Sequence, residues 1–184
     1  MGQDLRCHVF RYLRLCCIGV WVFSVSCAAE PTITEVIPPL TDEGRHLLER
    51  LEGGWSLQIT VSSTCPSEWR RELPAGQVVF AVEDGALRIQ ERGSSLTLFT
   101  LYPVDDTTLV YSATASLVGC TARERAELVM ETLTSSTSSG TFQVDITRDN
   151  AAACDAWFDD EGLPESCTTT TTYQGLRLGA ALGS

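Results

Sequence analysis

Apolar and polar residues alternate with a period of two from Trp55 almost to the C-terminus, and this pattern limits the chain to a β fold. Turn residues separate the alternating segments. One of these turns, Asp84-Gly85, is a strong signal for a two-residue hairpin. The pattern predicts eight strands, near residues 55–63, 77–83, 87–92, 96–102, 108–118, 123–134, 140–147 and 168–178.

One short helix is predicted before these strands. Thr41 is a good N-cap residue, and Leu47, Leu48 and Leu51 form an apolar stripe that Gly53 can end. Strands of this length and spacing, joined by short turns, are typical of an up-and-down barrel. The predicted fold is therefore all-β: an eight-stranded antiparallel up-and-down barrel preceded by one short helix.

The hairpin turns also predict which residues face each other across neighbouring strands. This tests the strand assignment, because a one-residue slip moves every side chain to the other face. One alternative stays open: residues 121–133 have a capping-box start and apolar residues at helical spacing. The predicted apolar pairs are Val82–Leu87, Phe80–Ile89, Ile89–Leu98, Leu98–Tyr111, Leu96–Ala113, Ala113–Ala126, Tyr111–Leu128, Leu109–Met130 and Met130–Val144.

The N-terminus has the three parts of an export signal. Arg6, Arg11 and Arg14 form a basic region, residues 15–25 carry no charge, and small residues follow at positions 26–29. An apolar run of this length is too short to span a bilayer as a mature helix. We therefore predict a signal peptide over residues 1–26; an uncleaved amphipathic anchor is the alternative.

The cleavage site has two interpretations. Val25-Ser26-Cys27 resembles the lipobox of bacterial lipoproteins, in which the cysteine is lipidated and anchors the chain to a membrane. Ser26-Cys27-Ala28 also fits ordinary signal peptidase. With lipidation at Cys27, residues 27–39 form a tether, 40–179 the barrel domain and 180–184 a disordered tail. The predicted location is the bacterial outer membrane or periplasm.

Charge and cysteine content narrow the class of protein further. Removal of residues 1–26 changes the formal net charge from −11 to −13, so the surface repels nucleic-acid phosphates. Four cysteines remain besides Cys27, an even number that fits disulfides in an oxidising compartment. A metal site is disfavoured because no two of them have CxxC spacing, and we expect no metal and no cofactor.

Three residues resemble the motif of the lipocalin-like, or calycin, barrels. Gly53 and Trp55 match the Gly-x-Trp of their first strand, and Arg177 matches the arginine of their last strand. The resemblance implies that Arg177 stacks on Trp55 and closes the barrel floor. An arginine over a tryptophan face contributes on the order of 0.5–2 kcal/mol.

Pairing Trp55 with Arg177 sets the register in which the barrel closes. Continued along the strands, this register places Ile59 opposite Tyr173 and Cys65 opposite Cys167, where a cross-strand disulfide is feasible. Cys120 would then pair with Cys154. The alternative is Cys154–Cys167 with Cys65–Cys120, because sequence alone allows three connectivities.

The side chains predicted to face the barrel interior are large and apolar near the helix, but small or polar at the other end. An eight-stranded barrel can be filled or can hold one small ligand, so the second end is a candidate cup for a small apolar or cationic molecule. Glu91 and Glu124 are candidates to hold a cation, although both can instead simply reach solvent. The predicted ligand-binding residues are Glu91, Leu96, Ala113, Ala115, Glu124 and Ala126.

Two long loops next to this cup contain aromatic residues, namely Trp69 in one and Trp157 and Phe158 in the other. They are candidates for contact with an envelope protein, or they plug the barrel mouth. The alternative function is thus a non-enzymatic interaction or protease-inhibitor-like barrel. We expect no catalysis, since His46 has no nucleophile at a triad-like spacing, and we expect a monomer.

Overall fold

A computed structural model describes residues 32–117, 119–149, 153–154 and 164–178 of the chain. Its main element is one antiparallel sheet that closes on itself. A single α-helix, α1 (Asp42–Leu51), precedes the barrel strands. The strands are β1 (Thr32–Glu35), β2 (Gly53–Ser63), β3 (Gly76–Glu83), β4 (Ala86–Glu91), β5 (Thr97–Pro103), β6 (Thr108–Leu117), β7 (Cys120–Leu133), β8 (Thr137–Asp149) and β9 (Ser166–Arg177).

Strands β2 to β9 form the barrel. Each pairs with the next strand in the chain, and the pairing of β9 with β2 closes the circle. The predicted fold is confirmed as a closed eight-stranded antiparallel barrel with one short helix before it. The architecture is consistent with a lipocalin-like barrel. Residues 121–133 belong to strand β7, so the helical alternative for that segment is wrong.

Helix α1 covers one end of the barrel, here called the helix end. Its N-cap is Thr41, whose side-chain oxygen accepts a hydrogen bond from the backbone N–H of Gly44 at 3.1 Å. The predicted stripe of Leu47, Leu48 and Leu51 is buried in the barrel core. The amphipathic pattern of the helix therefore correctly predicts which of its faces packs against the barrel core.

Strand β1 was not predicted, because its residues fall in the proposed tether. Thr32–Glu35 pairs antiparallel with the C-terminal half of β6, so this part of the tether belongs to the sheet. The reason lies in β5, which pairs with β6 only at Tyr102–Val110 and Pro103–Leu109. The remaining edge of β6 offers free backbone groups, and β1 pairs with them.

The hairpin registers were predicted with mixed success. Val82–Leu87 and Phe80–Ile89 are confirmed. Asp84 and Gly85 both have positive φ, at 53° and 75°, as a tight two-residue hairpin requires. Ile89 faces Phe99 instead of Leu98, because the β4–β5 ladder shifts between Ile89 and Gln90.

The β6–β7 and β7–β8 registers differ from the predicted ones by an even number of residues, whereas the β5–β6 register differs by three. Tyr111 faces Ala126 instead of Leu128, and Met130 faces Gly140 instead of Val144. The predicted pairs Leu98–Tyr111 and Leu96–Ala113 are wrong for two reasons: the β5–β6 register is three residues off the predicted one, and β5 leaves β6 before Tyr111 and Ala113. An even shift keeps each side chain on its predicted face, so the interior of β7 and β8 is nevertheless as expected.

Candidate functional site

The helix end is closed by the pair that the lipocalin-like motif predicts. Trp55 is fully buried, faces Arg177 across β2 and β9, and has the guanidinium carbon 4.7 Å from the centre of its ring. Arg177 also donates hydrogen bonds to the backbone carbonyls of Arg50 and Glu52 at the C-terminal end of α1. Helix carbonyls there lack intrahelical partners, so Arg177 joins α1 to the barrel floor.

The opposite end of the barrel, here called the open end, carries both disulfides. Cys65 is bonded to Cys167 and Cys120 to Cys154, which is the first predicted connectivity. The β2–β9 register matches the predicted one at Trp55–Arg177 and Ile59–Tyr173. Two disulfides fit an oxidising, exported environment.

Two glutamates lie in one row across three strands near the open end. Ala113 of β6 faces Glu35 of β1 on one side and Glu124 of β7 on the other. Directly opposed residues share a face of the sheet, and Ala113 is buried in the interior. Neighbouring strands lie about 4.8 Å apart, which places the two glutamate backbones roughly 10 Å from each other. We call Glu35, Glu124 and the neighbouring Tyr111 the inner acid site.

The two glutamates both act electrostatically on Tyr111. Burial raises the pKa of Glu124, and the positive charge of Arg71 opposes this rise. Burial also raises the pKa of Tyr111, and the negative charges of Glu124 and Glu35 raise it further. Tyr111 is therefore a neutral phenol at physiological pH, able to donate a hydrogen bond from its hydroxyl. The carboxyl of Glu124 lies where its charged form lacks full solvation.

The interior around this site retains contact with solvent. Val61, Tyr111 and Glu124 occupy inward-facing positions, yet each is only half-buried. On the far wall, Thr171 is fully buried, and within the described residues its hydroxyl has no hydrogen-bond partner. The open end thus combines small apolar walls with a few polar groups, as is common in sites for small ligands.

The structure places the predicted ligand-binding residues in two groups. Ala113, Ala115 and Ala126 are buried on the inward face, with Glu124 half-buried beside them. Glu91 and Leu96 are exposed. Leu96 precedes β5, and the position opposite Ala113 that was predicted for it is occupied by Glu35.

The loop aromatic that the structure describes does not extend into solvent. Trp69 lies in a short 3₁₀ helix, Ser67–Trp69, and is half-buried against the barrel core. On the same loop Leu73 is fully buried. Trp69 is therefore not an exposed contact residue: the loop packs Trp69 and Leu73 against the core, which fits the alternative that the loop aromatics plug the barrel mouth.

Several predicted features lie outside the described residues. They are the signal peptide over residues 1–26, the lipidation site at Cys27, the loop residues Trp157 and Phe158, and the tail over residues 180–184. Within the described part of the chain, no helix has the length and hydropathy needed to cross a bilayer. The same residues contain no group of three or more histidine, cysteine, aspartate or glutamate side chains arranged to hold a metal ion.

Comparison with known proteins adds no relative: no protein-family model, curated protein or solved structure matches the chain.

Sequence reasoning missed two members of the site. Glu35 was placed in the tether because Pro31, Pro38 and Pro39 around it are typical of linkers. Tyr111 was assigned to the filled helix end because the predicted β6–β7 register was two residues off. A usable signal for Glu35 was the alternation in residues 32–35, Thr-Ile-Thr-Glu, which fits a short strand.

Proposed function

We propose that this protein is an exported β-barrel that binds a small molecule with a cationic group at the inner acid site. The observation that carries the proposal is the row Glu35–Ala113–Glu124, in which two carboxylates on the inward face flank the smallest apolar side chain. The wall beside this row consists of small side chains, Ala113, Ala115 and Ala126, which are all buried.

A cation is the ligand that these groups stabilise best. Burial disfavours the charged form of Glu124, and a bound positive charge would restore it by direct attraction. Tyr111 adds an aromatic face, which attracts ammonium groups by on the order of 0.5–2 kcal/mol. Val61 and the alanines offer an apolar surface to the rest of the ligand. An anion would meet the negative charges of Glu124 and Glu35, with the positive charge of Arg71 opposing them.

Choline and its uncharged carbon isostere, 3,3-dimethylbutan-1-ol, test this proposal directly. The two probes have nearly the same shape and differ in charge. We expect isothermal titration calorimetry to detect choline and to find the isostere at least tenfold weaker, because a charge interaction of about 1.4 kcal/mol corresponds to a factor of ten. Equal binding of both probes, or binding of neither, contradicts the proposal.

A matched pair of variants locates the interaction. Glu124→Gln removes the inward carboxylate, whereas Glu127→Gln removes one from the same strand on the outer face, where it pairs with Arg125 at 2.9 Å. We expect Glu124→Gln and Glu35→Gln each to weaken choline binding about tenfold and Glu127→Gln to leave it unchanged. Equal effects of Glu124→Gln and Glu127→Gln would mean that choline responds only to net charge.

The location of the protein is a second part of the proposal: lipidation at Cys27 anchors it in the bacterial envelope, in the outer membrane or facing the periplasm. The N-terminal pattern and the two disulfides support export. Expressed in a bacterium with a lipoprotein pathway, the wild-type chain should fractionate with membranes and gain the mass of a lipid modification. Cys27→Ser should lose both properties, and its retention of both would refute lipidation.

A further inference from the structure

A cavity with a volume of about 270 Å³ lies on the outer surface of the barrel, near the helix end. It crosses the outer faces of β2, β9, β8 and β7, and we call it the outer groove. Its lining consists of Ser56, Gln58, Thr132, Thr137, Ser138, Ser139, Gln174, Gly175 and Leu176.

The lining is uncharged, although 20% of the chain's residues are charged. All but two of the lining residues are serine, threonine or glutamine. The exceptions are Gly175 and Leu176, and Leu176 is 61% exposed. The outer groove therefore offers hydrogen bonds and one apolar contact but no counter-charge, so an ion bound there would lose water without gaining a partner.

The strand registers order these side chains into two rows. One row runs from Gln58 through Gln174 and Ser139 to Thr132. The other runs from Ser56 through Leu176 to Thr137. Neighbouring strands lie about 4.8 Å apart, so each row presents a hydrogen-bonding group at nearly every step across the groove, and Leu176 lies in the middle of the second row.

The two glutamines are available for a ligand. Gln58 and Gln174 face each other and are exposed, and within the described part of the chain neither side-chain amide bonds to another residue. Each amide offers both donors and an acceptor. In contrast, the hydroxyls of Thr132 and Ser139 already bond to each other at 2.8 Å, which fixes one end of the row.

The shape of the outer groove comes from the backbone of β7 and β8. The β7–β8 ladder shifts between Met130 and Thr132, where β7 has a bulge, and bulges re-aim the side chains beside them. Gly140 permits a close approach there, because a Cβ atom at this position would lie 2.0 Å from the backbone oxygen of Val129. The groove is thus part of the rigid sheet and does not depend on a loop.

We propose that the outer groove binds a neutral saccharide, one sugar ring at a time. Sugar hydroxyls both donate and accept hydrogen bonds, which matches the amides of Gln58 and Gln174 and the neighbouring hydroxyls. The C–H face of a sugar ring can rest on Leu176. The volume is slightly below that of usual ligand pockets, which fits one ring. This site lies on the opposite side of the barrel wall from the inner acid site and does not rest on the function proposed above.

Nuclear magnetic resonance titration with three neutral disaccharides, maltose, cellobiose and N,N′-diacetylchitobiose, tests the proposal. We expect at least one to cause saturable shifts at the backbone amides of Gln58, Gln174 and Leu176, with an affinity on the order of millimolar. Galacturonic acid and glucosamine, which are charged, should cause smaller shifts there. If none of the neutral sugars causes saturable shifts at these amides, the proposal is wrong.

Variants separate this site from the rest of the surface. The double variant Gln58→Ala/Gln174→Ala should weaken sugar binding at least tenfold. Gln143→Ala is the matched control, because Gln143 lies on the outer face of β8 outside the groove and bonds to Asp145 at 2.9 Å. Glu124→Gln should leave sugar binding unchanged. Binding that survives the double variant, or that Gln143→Ala weakens equally, overturns the assignment.

Discussion

Loss of the Trp55–Arg177 contact is expected to reveal how the barrel floor is held together. Trp55 is fully buried, packs on Phe80 with ring centres 6.2 Å apart, and donates a 2.7 Å hydrogen bond to the backbone oxygen of Leu51. Trp55→Ala should therefore cost about 3–5 kcal/mol of unfolding free energy. Arg177→Ala should cost less, about 1–3 kcal/mol, which is the stack plus the lost hydrogen bonds to helix carbonyls.

A double-mutant cycle isolates the stack from the other losses. Urea unfolding of the wild type, both single variants and the double variant, followed by circular dichroism with the disulfides intact, should give a coupling energy of about 0.5–2 kcal/mol. Arg50→Ala is the control, since Arg50 bonds the backbone oxygen of Leu133 in the same region; it should couple to Trp55→Ala more weakly. A coupling energy near zero for Arg177, or one equal to that of Arg50, would refute the stacking argument.

Three further predictions concern stability. Replacing Cys65 and Cys167 by alanine should cost about 4.7 kcal/mol and replacing Cys120 and Cys154 about 3.8 kcal/mol, because their sequence separations are 102 and 34; the reverse order in urea unfolding would contradict this. Because burial raises the pKa of Glu124, ionisation of this carboxyl destabilises the folded protein. The loss of stability is absent below the ordinary pKa of glutamate and grows as pH rises. Glu124→Gln should therefore melt higher than the wild type at pH 7 but not at pH 4, and equal melting at both would refute it. Gly140→Ala should cost about 1–3 kcal/mol through its clash with Val129, as thermal unfolding would show.

The strands and the closing register could be predicted because local rules determine them. Period-two alternation marks each strand, and the turn at Asp84-Gly85 permits only one pairing of β3 with β4. The closing register depended on a single contact, Trp55–Arg177, and extended correctly along eight further pairs of β2 and β9. In a ladder without bulges the register is constant, so one correct pair determines all the others.

The wrong registers occur where a ladder is interrupted or a loop has no fixed geometry. The β4–β5 ladder shifts beyond Ile89, and β7 carries a bulge near Met130. Sequence patterns do not mark such insertions, because one extra residue changes neither composition nor the alternation on either side of it. The shifts in β6–β7 and β7–β8 are even, so burial of Ala126 and Val144 was predicted even though their partners were not.

The candidate site was only partly predictable, because it depends on a departure from the ideal barrel. If β5 paired with β6 along its whole length in the observed register, Phe99 would lie opposite Ala113 and give an apolar wall. Because β5 separates from β6 after two pairs, the free edge of β6 pairs with β1. The residue opposite Ala113 is then Glu35, and the interior acquires a second carboxylate near Glu124. The segment that completes the sheet is thus the segment that gives the site its charge, so variants of residues 32–35 should affect edge stability and ligand selectivity together.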